Sequence, residues 1–266
     1  MASLCLLGVL LLVTAFGNYI MPYDPLEMDF SVVGGGKPSP PTSRHLLGTD
    51  NYGRDTLSRL ISGARVSITV GLVATGIAIV FGVALGALAG YSGGAIDMLI
   101  MRVTDVFLSL PSIFLVMTVS AYLKPHPYNV VWVMGLFGWM GTARLVRAEF
   151  LRLREMDFIQ AARAIGVSPH RMIVRHLLVN SMAPIIVSAT LRVPFAILTE
   201  SALSYLGLGV PPPYASWGSM LNHAKPFITT AWWLWIPPGI AISLTVFAFN
   251  FVGDGLRDAF DPVQHR

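Results

Sequence analysis

Long apolar runs govern what this chain can fold into. A lipid hydrocarbon core about 30 Å thick is crossed by roughly 20 apolar residues of helix. Six stretches qualify: residues 2–20, 66–91, 98–123, 129–146, 184–206 and 231–252. In the third, the clean apolar part follows Asp105; Gly and Pro interrupt the fourth and fifth. Composition agrees, with 54% hydrophobic residues, 12% charged residues and a mean hydropathy of +0.65, where soluble domains carry about 25% charged residues. The expected fold class is all-α, a polytopic membrane bundle of six transmembrane helices.

Lys and Arg beside the spans set the expected orientation. Arg144, Arg147, Arg152, Arg154, Arg163, Arg171 and Arg175 crowd the segment between the fourth and fifth spans, which is therefore expected in the cytoplasm. Six crossings then put both termini inside, and residues 21–65, 124–127 and 207–230 outside. The first outer stretch pulls against this, because it carries five basic residues of its own beside Asp24, Glu27, Asp29, Asp50 and Asp55. The expected organisation is a first transmembrane helix (1–20), an extracytoplasmic loop with a short helix (21–65), a five-helix core (66–256) with a cytoplasmic loop at 147–182, and a cytoplasmic tail (257–266). The first span also has the size of a signal-peptide apolar region. No basic residue precedes it and no small-x-small cleavage pattern follows, so an uncleaved span is expected. The missing basic start fits a short tail absent from this chain.

Several function classes are excluded on residue type. Fifteen of the 18 basic residues are Arg and the net charge is +4, but these residues sit between apolar spans, so no basic face for nucleic acid is expected. Cys5 is the single cysteine and makes no internal disulfide. His45, His126, His170, His176, His223 and His265 lack metal-ligand spacing. The nearest imitation of a phosphate-binding loop, Gly34-Gly35-Gly36-Lys37, runs into Pro38 in the outer loop. No Ser-His-Asp set is suggested. Neither a catalytic site nor a cofactor is expected in this chain.

Within the spans, Gly82, Gly86 and Gly90 recur at every fourth residue, which lets helix backbones approach closely and predicts that span two packs inside the bundle. Pro111 and Pro194 each remove a backbone donor and should bend spans three and five. Trp232, Trp233 and Trp235 fall where span six would enter the outer interface, the layer Trp prefers, although ordinary helix packing also accounts for them.

The cytoplasmic run from Phe158 to Arg171 reads as helix, stop, helix. Gln160, Ala161, Ala162, Arg163 and Ala164 favour helix. Gly166 stands where a left-handed cap is wanted; Ser168 suits an N-cap and Pro169 a first helical position. The second helix is expected over 169–179. Such an elbow can project as a short rigid knob, with small residues to enter a groove and arginines to orient it. It can equally be a basic interfacial hairpin.

Ala161-Ala162, with Gly166 four residues beyond Ala162, resembles the EAA loop of binding-protein-dependent ABC importers. The run ending in His176-Leu177-Leu178-Val179-Asn180 and Ala183-Pro184 looks like the dipeptide/oligopeptide/nickel permease family. Residues His45 to Arg59, Glu200 to Gly209, and Asp254-Gly255-Leu256-Arg257-Asp258 with Asp261-Pro262 resemble three further signatures of that family in the same order, so the likeness runs from His45 to the end. The chain looks most like the second permease subunit of a dipeptide system. Gln160 replaces the usual acidic residue and Val179 the usual proline, which predicts a straighter or shifted end to the second helix.

The resemblance implies a type I ABC importer permease fold in the bacterial cytoplasmic membrane. It implies a second homologous permease beside this chain, two ATPase subunits that bind ATP and Mg, and an extracytoplasmic substrate-binding protein. The ATPase-coupling residues would be Gln160, Ala161, Ala162, Arg163, Ala164, Ile165, Gly166, Ser168 and Arg171. Dipeptides are the expected cargo, with longer peptides, nickel chelates and haem as alternatives.

Charges at membrane depth call for partners. Asp105 either pairs with Arg102 at the interface or lines the path. Arg192 and Glu200, about 12 Å apart along one helix, cannot pair with each other; each is a candidate path residue or a structural partner of another helix. In the outer loops Asp50, Arg54 and Asp55 either form turns and caps, Asp55 at the start of a helix over 56–64, or contact the binding protein or partner permease. Tyr214 and Trp217 carry the same two readings. An ion-gradient transporter would instead place paired carboxylates or broken helices near mid-membrane and need no cytoplasmic elbow; span five is the partial match. A purely structural membrane subunit is the other alternative.

Overall fold

A computed structural model describes residues 2–31, 36–124, 126 and 128–260. Gly34 and Gly35, Pro127, Asp261-Pro262 and His265 lie outside the described residues. In chain order the α-helices are α1 Ala2–Ile20, α2 Thr56–Ser92, α3 Gly94–Leu108, α4 Ser112–Tyr122, α5 Asn129–Leu136, α6 Met140–Arg154, α7 Asp157–Ala164, α8 Pro169–Arg171, α9 Leu178–Asn180, α10 Met182–Tyr205, α11 Trp217–Ala224 and α12 Ile236–Phe260. A π-helical stretch, Met172–Leu177, joins α8 to α9. No strand forms among the described residues; an isolated bridge between Thr49 and Asp55 closes a turn.

Among the described residues, four helical segments are long and apolar enough to cross a bilayer: Ser3–Ile20, Thr56–Ser92, Met182–Tyr205 and Trp232–Phe260. The expected third span is a bent pair, α3 and α4, with 83° between them. The cause lies in the chain: Pro111 has no N–H and drives Leu110 out of helical backbone, so the ladder stops at Leu108 and restarts at Ser112. The expected fourth span is also divided, into α5 and α6, at residues 137–139 around Gly138. By contrast Pro194 does not break α10, which continues as one helix to Tyr205. The short outer helix expected at 56–64 is not separate. It is the first part of α2, which at 37 residues is about 55 Å long and outreaches the hydrocarbon core.

The chain forms two compact units. The first holds the residues up to Leu72, Met117–Val131 and Val193–Val252. Its core gathers Ala64, Ile68, Trp217, Met220 and Ile242, with Leu10 and Val13 of α1 packed on it. Asp55 is the N-terminal cap of α2: its carboxylate accepts the backbone N–H and the hydroxyl of Ser58 at 2.7 and 2.8 Å. Trp233 is buried and donates its indole N–H to the Thr49 carbonyl, while Trp232 and Trp235 stay exposed. Packing therefore accounts for Trp233, the one of the three that is buried.

The second unit holds Val73–Val116, Trp132–Arg192 and the residues from Gly253 on. Here the spaced glycines of α2 meet α6. A Cβ on Gly82 would lie 2.5 Å from the Thr142 Cβ, one on Gly86 2.5 Å from the Ala143 carbonyl oxygen, and one on Gly90 2.7 Å from the Phe150 Cβ. The two backbones touch only because those side chains are missing. Arg154 closes the C-terminal end of α2 by donating to the carbonyls of Gly90 and Tyr91.

Candidate functional site

The elbow after α6 is built from local chemistry. Helix α7 ends at Ala164, and Gly166 adopts φ 78°, a backbone that a side chain resists. The Gly166 N–H donates to the Arg163 carbonyl at 3.0 Å and the Val167 N–H to the Ala162 carbonyl at 3.1 Å, which closes the last turn. Ser168 occupies the next N-cap position. Its side chain makes no capping hydrogen bond there; its backbone carbonyl accepts the Met172 N–H instead, and Pro169 takes the first helical position. The second helical run reaches Asn180, and α10 begins two residues later at Met182. Val179, where proline is usual, leaves that run unbroken.

One face of the elbow is anchored. Ile159, Ala162, Met172 and Leu177 are buried in a cluster with Val146, Phe150 and Leu153 of α6 and with Ala87 of α2. The opposite face is open: Gln160, Ala161, Arg163, Ala164, Gly166, Ser168 and Arg171 are exposed, and Ile165 stands 82% exposed at the tip. The structure thus brings the predicted coupling residues onto one projecting bend, except Ala162, which belongs to its foot.

The carboxylates of α3 pair with arginines of α6. Arg147 forks onto Asp97 at 2.5 and 2.7 Å. Asp105 pairs with Arg144 at 2.5 Å, not with Arg102; the partner three residues away loses to one 39 residues away on α6. Both members of that pair are half-exposed. Arg192 lies against Gly138, and among the described residues it makes no hydrogen bond or ion pair.

Glu200 is fully buried in the first unit. Its carboxylate accepts the hydroxyls of Ser67 at 3.0 Å and Ser204 at 2.6 Å. The Ser67 oxygen in turn accepts the Trp217 N–H, and the Ser204 oxygen the Val210 N–H. Buried Ser216 and Ser219 close a capping box on α11 beside them. Sequence reasoning missed this serine cluster. The pair Glu200 and Ser204, one helical turn apart, was its legible trace.

Four of the five outer-loop candidates lie inside the protein. Asp50 accepts the Arg54 guanidinium at 2.8 Å and sits 3.7 Å from Arg59. His45 meets Asp55 at 2.9 Å and stacks near Tyr23. Asp50, Arg54, Asp55 and Trp217 are all buried, so turn and cap formation describes them; Tyr214 alone of the five is exposed. Arg44, Arg54 and Arg59 each face a carboxylate, which neutralises much of the positive charge of this loop. Hydrogen bonds from Ser31 hold the Asp29 carboxyl below the usual range, and burial pushes His223 below the usual imidazole range. A cavity of about 550 Å³ in the same unit is lined by Ser120, His126, Asn129, Gly207, Asn222 and His223 among others.

The helical architecture, the broken spans and the capped elbow define a membrane protein of the type I importer permease class. Known structures agree on the fold. The MetNI methionine ABC transporter in an inward-facing conformation matches with a TM-score of 0.61 at 17% identity, over 76% of this chain and 95% of that one. An amino acid ABC transporter with histidines matches with a TM-score of 0.55 at 15% identity, over 77% and 93%. The chain belongs to the family of binding-protein-dependent transport system inner membrane components, whose model matches residues 82–265. Among characterised relatives, the dipeptide transport system permease protein DppC of Alkalihalophilus pseudofirmus is 46% identical over 84% of this chain and 73% of its own length. DppC of Bacillus subtilis is 39% identical over 100% and 82%, and the di/tripeptide permease DppC of Pseudomonas aeruginosa 43% identical over 97% and 86%.

Proposed function

We propose that this chain is one of two similar permeases that enclose the path of an ATP-driven importer of short peptides. Peptide cargo is supported by the relatives, named for dipeptide, di/tripeptide and oligopeptide transport, at 38–46% identity over most of the chain. The chain has no catalytic site of its own. ATP and Mg belong to two partner ATPase subunits, and an extracytoplasmic binding protein delivers the cargo.

The observation that carries the coupling role is the elbow. A knob rooted by Ile159, Ala162 and Met172 and tipped by exposed Ile165 would pass force from a gripping partner into α6. Reversing a 1:99 conformational equilibrium takes about 5.5 kcal/mol of differential stabilisation, and closure of an ATPase pair on the elbow would supply it. The elbow is then cytoplasmic, as are both termini, with six crossings in which α3–α4 and α5–α6 are broken ones. Residues 1–20 are the first crossing, 21–65 the outer segment, 66–256 the core with its loop at 147–182, and 257–266 the inner tail. Asp105, Arg192 and Glu200 are the polar candidates of the path and its walls. Exposed Tyr214, rather than buried Asp50, Arg54, Asp55 and Trp217, would meet the binding protein or the second permease.

Reconstitution into liposomes with the second permease, both ATPases and the binding protein tests this. Peptide uptake should require ATP and every partner. Uptake that persists without the ATPases, driven by an ion gradient, would overturn the assignment.

A further inference from the structure

Arg192 lies near the middle of α10, a helix of 24 residues, about 15 Å of rise from its start and about 20 Å from its end. From that depth the side chain is too short to bring its charge to either interface. A guanidinium remains charged under all accessible conditions. Turned toward lipid it would be heavily penalised. It is half-buried, and it lies where Gly138, in the break between α5 and α6, omits a side chain; a Cβ there would collide with Nη2.

The four arginines of α6, in the same unit, are matched. Arg144 has Asp105, Arg147 has Asp97, Arg152 has Glu149, and Arg154 has two helix-end carbonyls. Arg192 has no such partner among the described residues. The structure therefore holds a cation near the middle of a candidate span, with room kept for it and no anion supplied among the described residues. Its unburied side must face protein or a water-filled path.

We propose that Arg192 receives the C-terminal carboxylate of the peptide in transit, resting on the peptide-import reading above. The planar guanidinium binds a carboxylate through two parallel hydrogen bonds. Every unmodified peptide carries that group whatever its side chains, so a single cation serves cargo of varied sequence. A fixed acid from the second permease would fill the same need, and that is the competing occupant.

The test uses the complete transporter in liposomes with saturating binding protein and matched tripeptides, one with a free C-terminal carboxylate and one amidated, each above its own binding-protein Kd. Wild type should move the free acid at least tenfold faster than the amide. Arg192→Gln should cut free-acid uptake about tenfold and bring the two rates together, while Arg192→Lys restores most of the preference. The complex should assemble in normal yield with each variant. Equal free-acid uptake by wild type and Arg192→Gln overturns the assignment. Loss of assembly in Arg192→Gln, recovered by Arg192→Lys, also overturns it and points to an acid on the second permease. If the wild-type complex takes up no peptide of either kind, the peptide-import reading itself falls and the assignment falls with it.

Discussion

Ser67 of α2 donates its hydroxyl to Glu200 of α10 at 3.0 Å, across 133 residues of sequence, in a site closed to solvent. Trp217 donates its backbone N–H to the same serine oxygen, so one hydroxyl joins two long helices and the start of α11. Ser204 does likewise for Glu200 and the Val210 N–H. A buried carboxylate whose hydrogen bonds all lead to structural groups behaves as a clasp for the segment that follows α10.

Glu200→Ala should therefore destabilise the protein by about 1–3 kcal/mol for each hydroxyl left without a partner. Glu200→Gln should be milder, because the amide oxygen still accepts and the serine hydroxyls can turn to accept its N–H. Thermal unfolding of the purified complex, with assembly yield, measures this. A Glu200→Gln protein that assembles and unfolds like wild type but loses uptake would move Glu200 from the wall into the path.

Gly166 shows a different kind of constraint. Nothing lies within 4 Å of a Cβ built on it, so crowding is not the issue; its φ of 78° is. Gly166→Ala should strain the cap by roughly 1–2 kcal/mol, and Gly166→Pro, whose ring fixes φ near −65°, should abolish it. Both variants should insert and assemble normally. Uptake should fall modestly in the first and be lost in the second. Normal uptake by Gly166→Pro at normal expression rules out the elbow as the coupling element.

Within α2, two glycines separate packing from propensity. Gly86→Ala places a methyl 2.5 Å from the Ala143 carbonyl oxygen and 2.9 Å from the Val146 Cβ, so α2 and α6 must move apart. Gly76→Ala meets nothing within 4 Å and gains helix propensity worth up to about 1 kcal/mol. The first should lower the unfolding midpoint and the second leave it unchanged or raise it. Equal effects would mean that the glycine spacing does not set the helix contact.

What was legible in the residues divides by range. The elbow was readable because its caps are local: Gly166, Ser168 and Pro169 act on backbone within a few residues. The apolar spans were readable from composition, and the Gly82-Gly86-Gly90 spacing announced a close contact, though not that α6 was the partner. The 83° bend at Pro111 interrupts its span, while Pro194 sits inside one continuous helix; proline removes a donor, and the surroundings decide whether the helix breaks. Asp105 passed over Arg102 for Arg144, and Glu200 found Ser67, because such partners are chosen by packing between distant helices. The burial of Asp50, Arg54 and Asp55 was invisible for the same reason.

His223 supplies a pH dependence with a definite sign. Its Nδ1 bonds the Ser219 carbonyl at 2.8 Å. Burial, more than any other cause, holds its pKa below the usual value of about 6.5; Arg59 and Arg54 push the same way, and the Ser219 bond and Asp50 oppose them. The unfolded chain therefore takes up a proton before the folded protein does. The stabilising share of the neutral ring is complete above about pH 6.5 and is lost as pH falls through the lower folded-state value. Wild type should lose unfolding temperature between pH 7 and 5.5. His223→Asn, whose amide N–H can still reach the Ser219 carbonyl, should match wild type at pH 7.5 and fall less steeply below 6.5. Parallel slopes for the two proteins would show that other groups set the acid sensitivity.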